Sequence, residues 1–250
     1  MGQKGNRRHL KRYALPAFIN VPIKKDKFLM KPSAGPHPKD FCFPLGHVLR
    51  DILKISANNR ETLYILNNHK VNVDGRTITS YKFPIGIMDV IEIADINKAY
   101  RVLPSAKHGL MLSEITKDEA KFKLCRIENI TTVRKGNVQL NLHDGRNVLV
   151  KVDDAKKKLN LKYQTKGTLK ISLPDQEILD FFPMAENNQA IIMHGKNQGI
   201  AGKIVNITKR FGNMASTAVL EKTPGSNLTT AYEFAFVIGT KKPAIDLPME

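Results

Sequence analysis

From Val138 to Val152 apolar residues recur on every second position in two runs cut by a turn signal, a pattern that no helix can satisfy, and Ile127, Ile130 and Val133 precede them. Val138, Leu140 and Leu142 follow the Lys135-Gly136-Asn137 turn, Asp144-Gly145 comes next, and Val148, Val150 and Val152 then alternate in their turn. Period two places each set on one face of a strand, whereas a helix would scatter it around the axis. The spacing predicts a β-meander. Lys156, Lys157, Lys158 and Lys162 interrupt it, and Leu169, Ile171 and Leu173 resume it before the Pro174-Asp175 turn.

Upstream the period changes. Leu45, Val48, Leu49, Ile52 and Leu53 fall at helical spacing and leave His47, Arg50, Asp51 and Lys54 on the opposite face. Asn58 stands three residues before Glu61, a capping arrangement that starts a second short helix carrying Leu63, Ile65 and Leu66. Val71 and Val73 then alternate ahead of Asp74-Gly75, and Ile85, Ile87, Val90, Ile91 and Ile93 read as further strands. Thr116 and Glu119 form a capping box ahead of Ala120 to Leu124 before strand-like sequence returns. The last region begins near Glu186, with apolar Ala190 to Met193, a glycine-spaced loop, alternation over Ile204 to Ile207 and a final apolar strand from Phe234 to Ile238.

Charge narrows the partner. Forty Lys plus Arg against twenty-three Asp plus Glu leave a formal +17 on 250 residues, which predicts an extended acidic partner. No apolar run approaches the roughly 18 residues of a spanning helix, so nucleic acid is favoured over membrane. Met1 to Arg12 is basic and polar, unlike a secretory leader, and an intracellular protein is expected. Cys42 and Cys125 lie far apart among apolar neighbours and read as reduced, packed thiols, with no histidine at zinc-ligand spacing. Interspersed Leu10, Tyr13, Leu15, Phe18 and Ile19 mark the Lys/Arg-, Pro- and Gly-rich start, Met1 to Phe43, as an extended arm that buries apolar groups in a partner's groove while its cations meet phosphates, rather than a solvated tail.

Catalytic readings are weaker than their structural alternatives. Gly202-Lys203 would need Gly at 197 and Ser or Thr at 204 to make a phosphate loop, but Asn197 and Ile204 stand there. His143-Asp144-Gly145-Arg146 sets an aspartate beside an arginine as pseudouridine synthases do, yet a type I′ hairpin turn between alternating strands explains it. No HExxH, hydrolase elbow or paired-carboxylate spacing occurs.

Phe43 to Val102 resembles the alpha-L RNA-binding module, and Ile191 to Ile204 (IIMHGKNQGIAGKI) resembles the KOW motif. The order of segments is more specific: His9-Leu10-Lys11-Arg12, Pro32-Ser33-Ala34-Gly35-Pro36-His37, Val73-Asp74-Gly75-Arg76, Pro84 to Ile91, Ile115 to Cys125, the KOW-like stretch and Phe236-Val237-Ile238-Gly239. Over essentially the whole chain this resembles small-subunit ribosomal protein four of archaea and eukaryotes. The ending soon after Ile245-Asp246-Leu247 points to an archaeal member.

The resemblance implies an α+β protein of four parts: a basic N-terminal arm (1–42), an alpha-L module (43–105), a central β domain (106–183) and an SH3-like KOW barrel (184–250). It implies a non-enzymatic, cytoplasmic constituent of the small ribosomal subunit that binds its rRNA beside neighbouring ribosomal proteins. No membrane, no small-molecule substrate and no cofactor are expected, magnesium entering only with the rRNA. The alternatives are an RNA-modifying or other non-ribosomal RNA-binding factor carrying the alpha-L module, and an elongation factor carrying KOW. The expected RNA contacts are Lys4, Arg7, Arg8, His9, Lys11 and Arg12 in the arm, with His37; Arg50, Lys54, Arg60, Lys70 and Arg76 in the module; and Lys196, Asn197, Gly199, Lys203, Lys209 and Arg210 in the last region. With aromatic residues at 7% and no Trp, base stacking is expected to be minor.

Overall fold

Alternation becomes strand where the sequence predicts it. The computed structural model describes residues 9–19, 21–22, 24, 26–107, 109–151, 162–211, 215–222 and 225–247. Lys4, Arg7, Arg8, Val152 and Lys156 to Lys158 lie outside them. Helices are few and short, strands many and antiparallel.

The arm is folded back on the chain from its first described residues, not extended. Strands β1 (Leu10–Lys11) and β2 (Phe28–Leu29) pair. The Arg12 guanidinium donates to the carbonyls of Val21 and Pro22 at 2.8 and 2.7 Å. Leu10, Ile19 and Val21 are buried, which is why an arm this basic carries apolar residues at all.

After β3 (Phe43–Pro44), α1 (Leu45–His47) runs into a π-helical turn over Val48–Ile52. Asn58 caps α2 (Asn59–Asn67), its side chain accepting from the backbone N–H groups of Arg60 and Glu61. Leu45, Val48, Leu49 and Leu66 form the buried stripe. His47, expected on the outer face, is buried as well: its Nδ1 reaches Asp51 at 2.7 Å, so a polar group turns inward with a partner. Strands β4 (Val71–Val73), β5 (Arg76–Thr77), β7 (Val90–Ile93), β8 (Lys98–Ser105) and β9 (Gly109–Ile115) form one sheet in the order β5-β4-β7-β8-β9, while β6 (Pro84–Ile85) pairs with β3. The residue 105/106 boundary therefore falls at the turn of a hairpin inside this sheet.

Thr116 caps α3 as expected, but α3 is a single turn (Lys117–Ala120), and Leu124, expected in a helix, lies in β10 (Phe122–Thr132). The stretch Lys123 to Ile127 is buried on both faces. Leu124 joins the core beneath the first sheet and the last, whereas Cys125 and Ile127 join the central core. A strand covered on both sides has no apolar alternation to display, which is why it misreads. Strand β10 centres a sheet with β11 (Val138–Leu142), β12 (Asn147–Val150), β13 (Thr168–Ser172) and β14 (Ile178–Phe182), ordered β12-β11-β10-β13-β14. The Asp144-Gly145 turn is not type I′. Only Gly145 has positive φ (76°), and Leu142 N–H donates to Arg146 C=O at 2.9 Å around a three-residue loop. The last sheet comprises β15 (Gln189–Ile192), β16 (Ala201–Thr208), β17 (Thr217–Lys222), β18 (Ser226–Ala231) and β19 (Ala235–Gly239), ordered β18-β17-β16-β15-β19. Its apolar side shares one continuous core with the first sheet.

Where the first and central sheets meet, β10 carries a lysine inward. The Lys123 ammonium lies 2.8 Å from Asp74, 2.5 Å from Asp89 and 3.0 Å from Asp144. Arg146 bridges Asp74 (2.7 Å) and Asp144 (3.2 Å), and His37 Nε2 lies 3.0 Å from Asp89. Backbone N–H groups of Gly86 and Val90 fill further lone pairs on Asp89 and Asp74. Burial opposes the charge on Lys123, but the three carboxylates more than reverse it and raise its pKa well above the ordinary value. Burial is the largest influence on Asp89 and Asp144 and would raise both, yet Lys123 together with His37 at Asp89, and with His143 and Arg146 at Asp144, outweighs it, lowering Asp89 and holding Asp144 at about 2. Burial wins at Asp74, whose pKa is raised. Beside this group His143 accepts from Arg126 N–H through Nδ1 (3.2 Å), so its Nε2 is the protonated nitrogen and faces Ile87 C=O at 3.3 Å. Burial lowers its pKa to about 4.

Two outcomes follow for stability. Lys123→Met leaves the carboxylates buried with one fewer cation and should cost about 3–5 kcal/mol in urea unfolding; Asp95→Ala, which removes an exposed partner of Lys70, should change it by less than about 1 kcal/mol. His143 is held neutral in the folded state, so the unfolded chain takes its proton first as pH falls. That contribution is whole above about pH 6.5, declines towards pH 4, and should amount to about 3 kcal/mol. His143→Gln should flatten the stability-versus-pH curve in that window, and an unchanged slope would show that this ring is not responsible.

Candidate nucleic-acid interface

Once the acids of the interior are paired, the outward cations are left to define the surface. Lys11 is exposed on β1, and His9 is exposed with its ring 5.5 Å from that of Phe28. Lys54, Arg60 and Arg76 are exposed on the helical pair and β5. Lys70 is drawn to Asp95 at 2.7 Å. Lys196, Lys203, Lys209 and Arg210 are exposed on the last sheet and its loops, and Asn197 and Gly199 are partly buried beside them. Two expected contacts do not face outward as supposed. His37 is buried on Asp89, and Arg12, half-buried, turns its Nη1 onto the arm's own carbonyls. Arg50 is half-buried, its guanidinium bound along Asp51.

Several aromatic side chains project into solvent that charge counting does not find. Tyr13 and Phe211 are fully exposed and Tyr64 is largely so. Phe211 directly follows Lys209-Arg210, a juxtaposition that was readable in the sequence as cations beside an aromatic.

The interior cluster offers ligand atoms but not an ion site. Cys125, His143 and Asp144 place theirs within 4.8 Å of one another, but both His143 nitrogens already have partners and the Lys123 ammonium lies 3.0 Å from Asp144. A metal cation would have to displace that charge. Burial raises both thiols, Cys42 to about 12 and Cys125 well above its ordinary value, so neither is a thiolate at neutral pH.

Small antiparallel sheets with compensated charge inside and a net excess of cations outside define a basic β-rich protein. Comparison with known families matches residues 96–178 to the ribosomal family S4e and residues 4–40 to the RS4NT (NUC023) domain. The small ribosomal subunit protein eS4 of Staphylothermus marinus is 45% identical over 99% of this chain and 98% of its own length, and that of Methanothermobacter thermautotrophicus 40% over 99% of each. The crystal structure of the 30S ribosomal protein S4e from Thermoplasma acidophilum superposes with a TM-score of 0.65 at 32% identity, covering 81% of this chain and 97% of that one. The chain belongs to the S4e family of ribosomal proteins.

Gly199 is where the last sheet meets the first. Its φ is +83°, and a Cβ there would lie 2.6 Å from Ala106 N and 2.8 Å from Ser105 C, at the tip of the β8–β9 hairpin. Gln198 Nε2 donates to Gly109 C=O at 2.6 Å across the same contact. The glycine is required by its conformation and by this approach of backbone to backbone. Gly199→Val should therefore cost about 3 kcal/mol or more in thermal unfolding and weaken RNA binding with it. Lys196→Gln with Lys203→Gln should leave the melting curve in place. A Gly199→Val protein with wild-type stability would sink this account of the loop.

Proposed function

We propose that this chain is a structural constituent of the small ribosomal subunit that binds and holds its rRNA, and that it acts in the cytoplasm with neighbouring ribosomal proteins. The observation that carries the reading is full-length similarity to proteins named for that role, joined to a surface whose excess is cationic. The finer assignments are part of the same proposal. The helical pair with its sheet serves as an alpha-L module, and the last five strands with the Gly195–Gly202 loop serve as an SH3-like KOW barrel. The strand order β18-β17-β16-β15-β19 and positive φ at Gly195 and Gly199 support the second. Contacts are assigned to the outward cations Lys11, Lys54, Arg60, Arg76, Lys196, Lys203, Lys209 and Arg210, together with the arm's Lys4, Arg7 and Arg8. Because side chains cannot read a deep A-form groove, RNA shape, phosphates and splayed bases are what these groups would recognise.

Co-sedimentation at high salt is the test. Stoichiometric retention on small subunits is expected, whereas sub-stoichiometric, salt-labile binding would favour a transient RNA factor. For the arm, neutralising Lys4, Arg7, Arg8 and Lys11 should flatten the salt dependence of rRNA affinity by about 0.7–0.9 log units per log salt for each phosphate that is no longer neutralised. An unchanged slope would leave the arm's cations as solvated charge.

A further inference from the structure

A cation on the outer side of a helix is expected to meet phosphate, but the donors of Arg50 are engaged within the protein. Its Nε and Nη2 donate to the two oxygens of Asp51 at 3.0 and 2.7 Å, and its Nη1 donates to Asn59 Oδ1 at 2.9 Å. Asp51 is held in turn by His47. A guanidinium bound along its edge in this way is charge-compensated and fixed in plane. About a fifth of the side chain remains exposed (21%), and it faces two adjoining cavities of about 310 and 670 Å³ that share Arg50 and Asp26.

The smaller cavity lies between the folded-back arm and the helical pair. Phe28, half-exposed on β2, and Tyr81 contribute rings to it, and Asn59 an amide. Lys82 stands exposed at its rim, 5.4 Å from the Tyr81 ring, and His9 stands beside Phe28. The larger cavity carries Asp26, Asp51 and Glu61. Asp26, the one carboxylate that the two cavities share, disfavours a phosphate beside it and can accept from the exocyclic amine of a nucleobase. Planar cation, aromatic rings, hydrogen-bonding amide and carboxylate together match the π-face and edge of a base rather than a phosphate.

We propose that this cavity seats one unpaired, amine-bearing nucleobase of the bound RNA, stacked against the Arg50 face and Phe28, with Lys82 at the rim meeting its phosphate. The proposal rests on the RNA-binding reading and adds to it a specific contact, in which Arg50 is a stacking platform and not a phosphate ligand. The same arrangement explains why Phe28 stands open to solvent on a strand that packs against the fold.

The test compares an adenine ribodecamer with an abasic ribose-phosphate decamer of equal charge, beside a transcript of small-subunit rRNA. Wild-type protein should prefer the adenine decamer. Arg50→Lys keeps the charge and loses the plane, and should lower affinity for the adenine decamer about five- to 150-fold, the range of one base stack. Abasic binding and the salt slope should stay unchanged. Phe28→Ala, at an exposed ring, is a second variant that leaves the core intact and should act in the same sense. Wild-type affinity in Arg50→Lys, or an Arg50→Ala protein whose salt slope flattens by about 0.7, as removing the partner of one single-strand phosphate would do, overturns the stacking role. A wild-type protein that binds the transcript but does not distinguish the decamers refutes this inference alone. Failure to bind the transcript refutes the RNA-binding reading beneath it.

Discussion

The position of Lys123 fixes the relation of the first sheet to the central one. An ammonium without water needs anions within contact distance, and its three come from different places in the chain: Asp74 at the β4–β5 turn, Asp89 just before β7 and Asp144 at the β11–β12 turn. Each carboxylate is also held by a backbone N–H or a second cation. Full satisfaction of this kind lets a buried network define one arrangement, because any slip of one sheet leaves charge unpaired in a low-dielectric interior. A hydrophobic contact would tolerate such a slip at small cost.

The last sheet is joined by different means. It shares an apolar core with the first sheet, and at the margin its glycine loop lies backbone against backbone on the β8–β9 hairpin. Arg126 reaches across from β10 to the carbonyls of Glu233 and Ala235 at 2.6 and 3.3 Å. One strand thus presents Lys123 to the first sheet's acids and Arg126 to the last sheet's carbonyls, and β10 is the common member of all three units.

Cations inside and cations outside therefore do different work. Those inside, Arg101, Lys123 and Arg126, are matched in number by the buried acids Asp74, Asp89 and Asp144, so the interior carries little net charge and the chain's excess of +17 lies on the exterior. A long-range field that attracts a polyanion follows from that sorting. Arg50 lies between the two groups, its edge bound by Asp51 and its remaining surface open to the arm's cavities.

The sequence by itself determined that this is a strand-rich, strongly basic chain with a capped helical pair, because turn chemistry, period-two alternation and Asn58 or Thr116 at a cap act within a few residues. It also carried the order of motifs by which the family could be recognised. It did not show that Lys123, His37 and Asp144 are interior, since each resembles a surface residue until its partners, distant in sequence, are brought beside it. Nor did it show that Leu124 lies in a strand, because two-sided burial removes alternation, or that His47 turns inward from a helix face that period alone assigns to solvent. Which charges are paired and which remain free depends on contacts between residues far apart along the chain, and only the tertiary structure decided it.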